Sequence, residues 1–124
     1  MNDIKLMNKA ADNIRILAAS MVEKAKSGHP GGAMGGADFV NVLFSEFLVY
    51  DPKNPAWEGR DRYFQDPGHM SPMLYSVLAL AGKFTIDELK EFRQWGSVTP
   101  GHPEVNVMRG IENTSGPLGQ GHTY

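Results

Sequence analysis

The chain has 124 residues, with 12 Lys and Arg against 14 Asp and Glu and no cysteine, a length that suits one small domain or part of a larger one. The balanced charge excludes a basic stripe for nucleic acid, and the lack of cysteine excludes disulfides and cysteine-based zinc sites. No apolar stretch is long enough to span a membrane. We therefore expect a cytoplasmic protein with neither nucleic acid nor membrane as a partner.

The first predicted element is an amphipathic helix over about residues 4–25. Its apolar residues recur every three or four positions and share one face, namely Ile4, Met7, Ala11, Ile14, Leu17, Met21 and Ala25. Gly28 is placed to cap the end of this helix, and Pro30 is expected to prevent its continuation.

A second helix is predicted to begin near Ala33 or Met34 and to end before Asp51-Pro52. Its apolar residues cover more than a narrow stripe, so we expect it to be mostly buried. A short strand is predicted over residues 62–65 and is broken by the turn at 66–68. An isolated strand cannot satisfy its backbone hydrogen bonds, so either a partner strand lies outside this chain or the segment is not a strand.

Two further helices follow the strand. Ser71-Pro72 is typical of an N-cap followed by proline at the first helical position, and Gly82 is expected to end that third helix. The fourth helix has a capping box over residues 85–88, and Phe84 and Leu89 are placed as a hydrophobic staple. It is predicted to run to about Trp95.

Glycine and proline gather beside three histidines, in the turns of His29, His69 and His102, and again in a glycine-rich loop at residues 116–121. Taken singly, these segments are better explained by helix capping or ordinary turn chemistry than by a ligand site, except for the turn of His69, where the two explanations are about even. The turn of His69 joins a predicted strand to a helix, where α/β proteins place ligands. The spacing does not match a zinc site or the Gly-x-Ser-x-Gly elbow of a serine hydrolase.

Taken in order, these motifs resemble the start of transketolase. The resemblance runs from Ser27-Gly28-His29-Pro30-Gly31 through Gly68-His69 and Thr99-Pro100-Gly101-His102-Pro103-Glu104 to the loop at 116–121. It implies an α/β thiamine-diphosphate-binding fold, truncated, mostly helical in this stretch and with one short strand near 62–65. Residues 1–124 would form part of the N-terminal, diphosphate-binding domain of such an enzyme, and the chain is expected to be truncated after residue 124.

The resemblance also implies roles for residues that face the substrate. His29 would help to move protons at the donor and acceptor oxygens, and His102 would hydrogen-bond the hydroxyl of the donor and the developing oxyanion. Arg93 would approach the substrate phosphate. A neutral imidazole can both donate and accept near pH 7, which suits these roles.

For the cofactor, the resemblance implies that His69 lies near the diphosphate. The backbone of Gly116, Pro117 and Leu118 would line thiamine diphosphate. A magnesium or calcium ion would accompany it, but no metal ligand is expected in this chain, because the Gly-Asp-Gly motif is absent.

The function implied is transfer of a two-carbon ketol unit from a ketose phosphate to an aldose phosphate, in the pentose phosphate pathway. Its partners would be sugar phosphates, the rest of the polypeptide and a second subunit in a homodimer. We expect the 124-residue chain alone to be inactive. The alternative is a stand-alone binding or regulatory module derived from a transketolase, without catalysis.

Overall fold

The fold is known from a computed structural model that describes residues 2–116, 118–119 and 123. Five α-helices follow one another as α1 (Ile4–Ala25), α2 (Pro30–Gly35), α3 (Ala37–Val42), α4 (Ser71–Leu80) and α5 (Ile86–Lys90). A π-helical turn (Leu43–Phe47) extends α3, and 3-10 turns cover Gly68–Met70 and Val107–Arg109. The long helix α1 packs against all four of the others.

Helix α1 has the range that its periodicity predicts. Asp3 caps its start by accepting a hydrogen bond from the Leu6 N–H at 3.0 Å. Its end differs from the prediction, because Lys26, with φ 50°, takes the left-handed cap position. Gly28 lies in the following turn, where its φ of 131° and its missing Cβ let Val22 and Phe92 pack closely.

The predicted second helix is two short helices and a π-helical turn, and it begins earlier than expected. Helix α1 ends before Pro30, as predicted, and Pro30 opens α2, because the first turn of a helix does not need its missing N–H. The prediction that this region is mostly buried is wrong in part. Phe39 and Phe47 are 66% and 70% exposed, whereas Val40 is fully buried.

The strand predicted over residues 62–65 is not formed among the described residues. Residues 62–65 are irregular, and the isolated antiparallel bridge of the described residues joins Asn106 to Ile111. The Asn113 side chain serves in place of a partner strand. Its Oδ1 accepts from the Gln65 N–H at 3.0 Å, and its Nδ2 donates to the Gln65 carbonyl at 3.3 Å. Buried backbone groups need partners, and a side-chain amide supplies both here.

Helix α4 is the centre of the core, with every residue from Ser71 to Leu78 buried. The predicted N-cap role of Ser71 is wrong. The residue lies inside the helix, and its hydroxyl donates to the Gly101 carbonyl at 2.7 Å. Helix α4 is therefore tied to the loop that carries His102.

Helix α5 has the predicted capping box, in which Thr85 and Glu88 each bond the other's backbone N–H. The helix ends at Lys90 rather than near Trp95. The reason is tertiary, because the Thr99 hydroxyl donates to the Glu88 carbonyl at 3.0 Å and the Arg93 N–H donates to the Thr99 carbonyl at 3.0 Å. These bonds replace the next helical turn.

One apolar core unites all five α-helices. Its buried members include Ile14, Ala18, Met21, Ala33, Ala37, Val40, Phe44, Met73, Leu74, Tyr75, Val77, Leu78, Phe84, Leu89, Phe92 and Ile111. Tyr75 lies between Phe84 and Phe92, with ring centroids 5.5 and 6.3 Å away. The aromatic cluster fixes the end of α5 against α4, and so positions the residues that follow α5.

Candidate active site

The turn of His29 joins α1 to α2. His29 has extended backbone (φ −124°) and immediately precedes Pro30, the first residue of α2. Its imidazole is exposed and makes no capping hydrogen bond. The side chain is therefore not used to cap α2 and remains available to a ligand.

The turn of His69 lies against the turn of His29. The two imidazole rings meet edge to face, with centroids 4.9 Å apart and an interplanar angle of 62°. The neighbouring Gly68 packs directly on the Ser115 backbone, where a Cβ would lie 2.5 Å from the Ser115 carbonyl oxygen. The turn of His69 is thus held between the first histidine turn and the start of the glycine-rich loop.

The loop of His102 is anchored to α4 by hydrogen bonds from two side chains of that helix. The Tyr75 hydroxyl donates to the Pro100 carbonyl at 2.8 Å, one residue before the Gly101 carbonyl that Ser71 holds. On the other side, the Ser115 N–H donates to the Pro103 carbonyl at 3.0 Å. His102 is exposed between these anchored residues, so its ring is presented on a fixed backbone.

The surroundings of His102 hold its pKa below the ordinary value of 6.5. Desolvation by the protein atoms around the ring is the first cause, and the positive charge of Arg93 is the second. The charges of His69 and His29 act in the same direction. His102 is therefore a neutral imidazole near pH 7, able to donate one hydrogen bond and to accept another.

Arg93 lies beside this group of histidines. Its Nη1 donates to the Ser27 hydroxyl at 2.7 Å, and its Nε lies 2.8 Å from the position a Cβ on Gly101 would take. The structure therefore brings together the four side chains predicted to act at the site: His29, His69, His102 and Arg93.

The start of the predicted cofactor loop is close to the histidines, because Gly116 follows the Ser115 that contacts Gly68. Among the described residues, a Cβ on Gly116 would meet no atom within 4 Å, so they leave open space beside its Cα. Leu118 is 62% exposed. Pro117 lies outside the described residues, as does His122.

Three polar residues that support the site were not predicted to belong to it: Ser71, Tyr75 and Ser115. All three are buried. Hydroxyl groups on the buried face of a helix need hydrogen-bond partners. The two in α4 were therefore a usable signal that polar loop carbonyls pack on that helix.

Within the described part of the chain, no group of three or more His, Cys, Asp or Glu side chains is placed to hold a metal ion. Among the same residues, no helix combines the length and the apolar character needed to cross a membrane.

Comparison with known proteins decides the family. The family model for transketolase, thiamine diphosphate binding domain, matches residues 6–124. The chain belongs to the transketolase family. It is 54% identical over 117 residues to the transketolase of Buchnera aphidicola and 53% identical over 112 residues to transketolase 1 of Escherichia coli. These matches cover 94% and 90% of this chain but only 18% and 17% of the relatives.

Solved transketolases have the same fold in this region. The structure from Campylobacter jejuni matches 97% of this chain with a TM-score of 0.90 at 48% identity. A Pichia stipitis transketolase in complex with sedoheptulose-7-phosphate matches 94% of this chain with a TM-score of 0.88 at 45% identity. The chain spans 19% and 17% of those two transketolase structures. The resemblance to transketolase and to a thiamine-diphosphate-binding fold is thereby confirmed.

Proposed function

We propose that this chain supplies one wall of a ketol-transfer site that works with thiamine diphosphate and sugar phosphates. The observation that carries the proposal is the meeting of three histidine turns. The rings of His29 and His69 are in contact, and Arg93 binds Ser27 in the turn of His29 and packs on Gly101, the residue before His102. These turns are far apart in the sequence, so their contact in space is a result of the fold. Relatives support the substrate class, since the structure of a Pichia stipitis transketolase mutant is a complex with fructose-6-phosphate.

The residues present fit the diphosphate cofactor. Ser115 Oγ is buried and has no hydrogen-bond partner among the described residues. The next residue, Gly116, is the one beside which the described residues leave open space. A flat ring can approach a glycine backbone closely because no Cβ intervenes. Gly116, Pro117 and Leu118 would line the cofactor, and His69 would lie near its diphosphate. When bound, thiamine diphosphate supplies carbanion chemistry, and a magnesium or calcium ion held by residues elsewhere would accompany it.

The histidines of this chain would handle protons and oxygen atoms of the sugars. His102, neutral near pH 7, would donate a hydrogen bond to the donor's hydroxyl and to the oxygen on which negative charge develops. His29 would move protons at donor and acceptor oxygens. Family resemblance implies that Arg93 lies near the substrate phosphate, but its contacts with Ser27 and Gly101 favour a role in holding the histidine turns.

Activity would require groups that this chain does not contribute, in particular the metal ligands and a second subunit. We therefore propose that the 124-residue chain alone transfers no ketol units, and that the active species is a cytoplasmic homodimer of the pentose phosphate pathway. These statements rest on the family relationship. The alternative is a binding or regulatory module without catalysis.

The test uses two preparations, the complete natural polypeptide that contains this chain and the 124-residue chain alone. We expect ketol transfer from a ketose phosphate to an aldose phosphate in the first only. In the complete polypeptide, His102→Asn should lower kcat by about a hundredfold or more, the loss typical of one oxyanion donor. Lys53→Met, which changes an exposed loop residue, is the control and should leave kcat unchanged.

Two results would contradict the proposal. Ketol transfer by the 124-residue chain alone would show that the chain holds a complete site. A complete polypeptide that binds thiamine diphosphate but transfers nothing, with His102→Asn binding equally well, would favour the module.

A further inference from the structure

We propose that Arg93 is a positioning residue, which holds the turn of His29 and the loop of His102 at a fixed separation. The proposal concerns geometry first, and only its kinetic consequence rests on the proposed function. Arg93 follows α5 directly and lies between the two segments, in contact with both.

On one side, Arg93 binds the turn of His29. Its Nη1 donates to the Ser27 hydroxyl at 2.7 Å, two residues before the histidine. Phe92, the residue before Arg93, adds apolar support to this turn. A Cβ on Gly28 would lie 3.3 Å from its ring, so the turn packs directly on it. Phe92 is 1% exposed and belongs to the core, so the turn of His29 rests on a rigid support.

On the other side, Arg93 binds the loop of His102 through backbone and side chain. Its N–H donates to the Thr99 carbonyl at 3.0 Å. Its side chain packs along Gly101, where a Cβ would approach Nε to 2.8 Å and Cγ to 3.3 Å. A Cβ at position 101 would therefore force the Arg93 side chain to move away from this loop.

The backbone of Arg93 takes an unfavourable conformation to reach this position. Its φ is 61°, in the left-handed region that residues with side chains rarely occupy. Such conformations persist where the surrounding structure enforces them, often at functional sites. The guanidinium carbon also lies 5.6 Å from the centroid of the Phe92 ring, which further restricts its orientation.

The same contacts limit how Arg93 can meet a phosphate. Its Nε is buried and has no hydrogen-bond acceptor within the described residues. An arginine that binds a phosphate in the bidentate manner often offers Nε together with a terminal nitrogen. Because the edge that includes Nε is covered here, the geometry favours a positioning role over bidentate phosphate binding.

The test compares four variants of the complete natural polypeptide. Arg93→Met removes the guanidinium, and Arg93→Lys keeps the positive charge but loses the planar set of N–H donors. Ser27→Ala removes the hydroxyl that accepts from Arg93 Nη1. Lys90→Met is the control, because Lys90 carries the same charge one turn earlier and its side chain pairs with Asp87 at 2.8 Å. Each enzyme is assayed with a phosphorylated and an unphosphorylated aldose acceptor, using an unphosphorylated ketose donor.

A positioning role predicts that each variant loses the same factor in kcat with the phosphorylated and the unphosphorylated acceptor. Arg93→Met should lower kcat about ten- to a hundredfold, since displacement of a reacting group by about 1 Å costs this much. Ser27→Ala should show the same pattern with a smaller loss, Arg93→Lys should stay closer to Arg93→Met than to wild type, and Lys90→Met should match wild type. A rise in KM confined to the phosphorylated acceptor would overturn the proposal, as would full activity of Arg93→Lys.

A second readout is independent of catalysis. Crystal structures of wild type, Arg93→Met and Ser27→Ala should show the Cα of His29 displaced relative to that of His102, by about 0.5–1 Å in Arg93→Met. An unchanged separation in Arg93→Met overturns the proposal even if kcat falls. If wild type transfers no ketol units, the proposed function fails, and the crystal structures alone then decide the positioning role.

Discussion

The contact between Gly68 and Ser115 is the point at which the turn of His69 meets the start of the proposed cofactor loop. Replacement of Gly68 by alanine would place a Cβ 2.5 Å from the Ser115 carbonyl oxygen and 2.8 Å from its carbonyl carbon. Both are backbone atoms and cannot rotate away. The Ser115 backbone is also held on its other side, because its N–H donates to the Pro103 carbonyl.

The expected cost follows from that geometry. Side-chain carbons essentially never approach other atoms within 3.0 Å, so the two segments must separate by about 0.5 Å or more. Overpacking of this kind costs about 1–3 kcal/mol. At roughly 4 °C per kcal/mol for a domain of this size, the melting temperature should fall by about 4–12 °C.

The assay is thermal unfolding followed by circular dichroism, together with thiamine diphosphate titration of the complete natural polypeptide. The control is Gly35→Ala in α2, where a Cβ would meet nothing within 4 Å. That substitution should be neutral or slightly stabilising, since alanine is the better helix former. A Gly68→Ala protein within about 0.5 kcal/mol of wild type would refute the reasoning, because such a result means that the two segments are not in contact.

Three further predictions concern the core, the capping box and the site. Phe92→Ala should destabilise the fold by about 3–5 kcal/mol in urea denaturation, whereas Phe39→Ala, at a residue 66% exposed, should change it by less than about 0.5 kcal/mol. Arg109 and the capping-box N–H lower the pKa of Glu88 from 4.5 to about 2, so this stabilisation is present above pH 4.5 and is lost as the pH falls through about 2. Glu88→Gln should therefore lose about 1–2 kcal/mol at pH 7 and show a flatter stability curve between pH 5 and 2; an unchanged curve would contradict the assignment. Because the pKa of His102 is lowered, ketol transfer by the complete polypeptide should persist below pH 6.5 and decline at lower pH, and a decline that begins above pH 6.5 would count against a neutral His102.

Features governed by neighbouring residues could be predicted from the sequence. The range of α1 follows from its apolar period, and the capping box at Thr85 follows from residues within one helical turn. The order of the histidine turns identified the transketolase family, which the comparisons confirm. These properties need no knowledge of what packs against each segment.

Features that depend on distant residues were predicted wrongly or not at all. The segment 62–65 has the composition of a strand, but a side-chain amide from Asn113 takes the place of a partner strand. Helix α5 stops at Lys90 because the hydroxyl of Thr99 occupies the carbonyl of Glu88, although the local pattern continues. A helix or strand pattern records local preference, and tertiary hydrogen bonds override it.

The same division applies to the site. The sequence by itself determined which residues have suitable chemistry, since a histidine next to glycine and proline can be recognised from the order of the residues alone. Only the tertiary structure decided that the ring centroids of His29 and His69 lie 4.9 Å apart and that Arg93 packs on Gly101, the residue before His102. The physical reason is that core packing of α1, α4 and α5 sets the distances between the turns, and those distances depend on contacts between residues far apart in the chain.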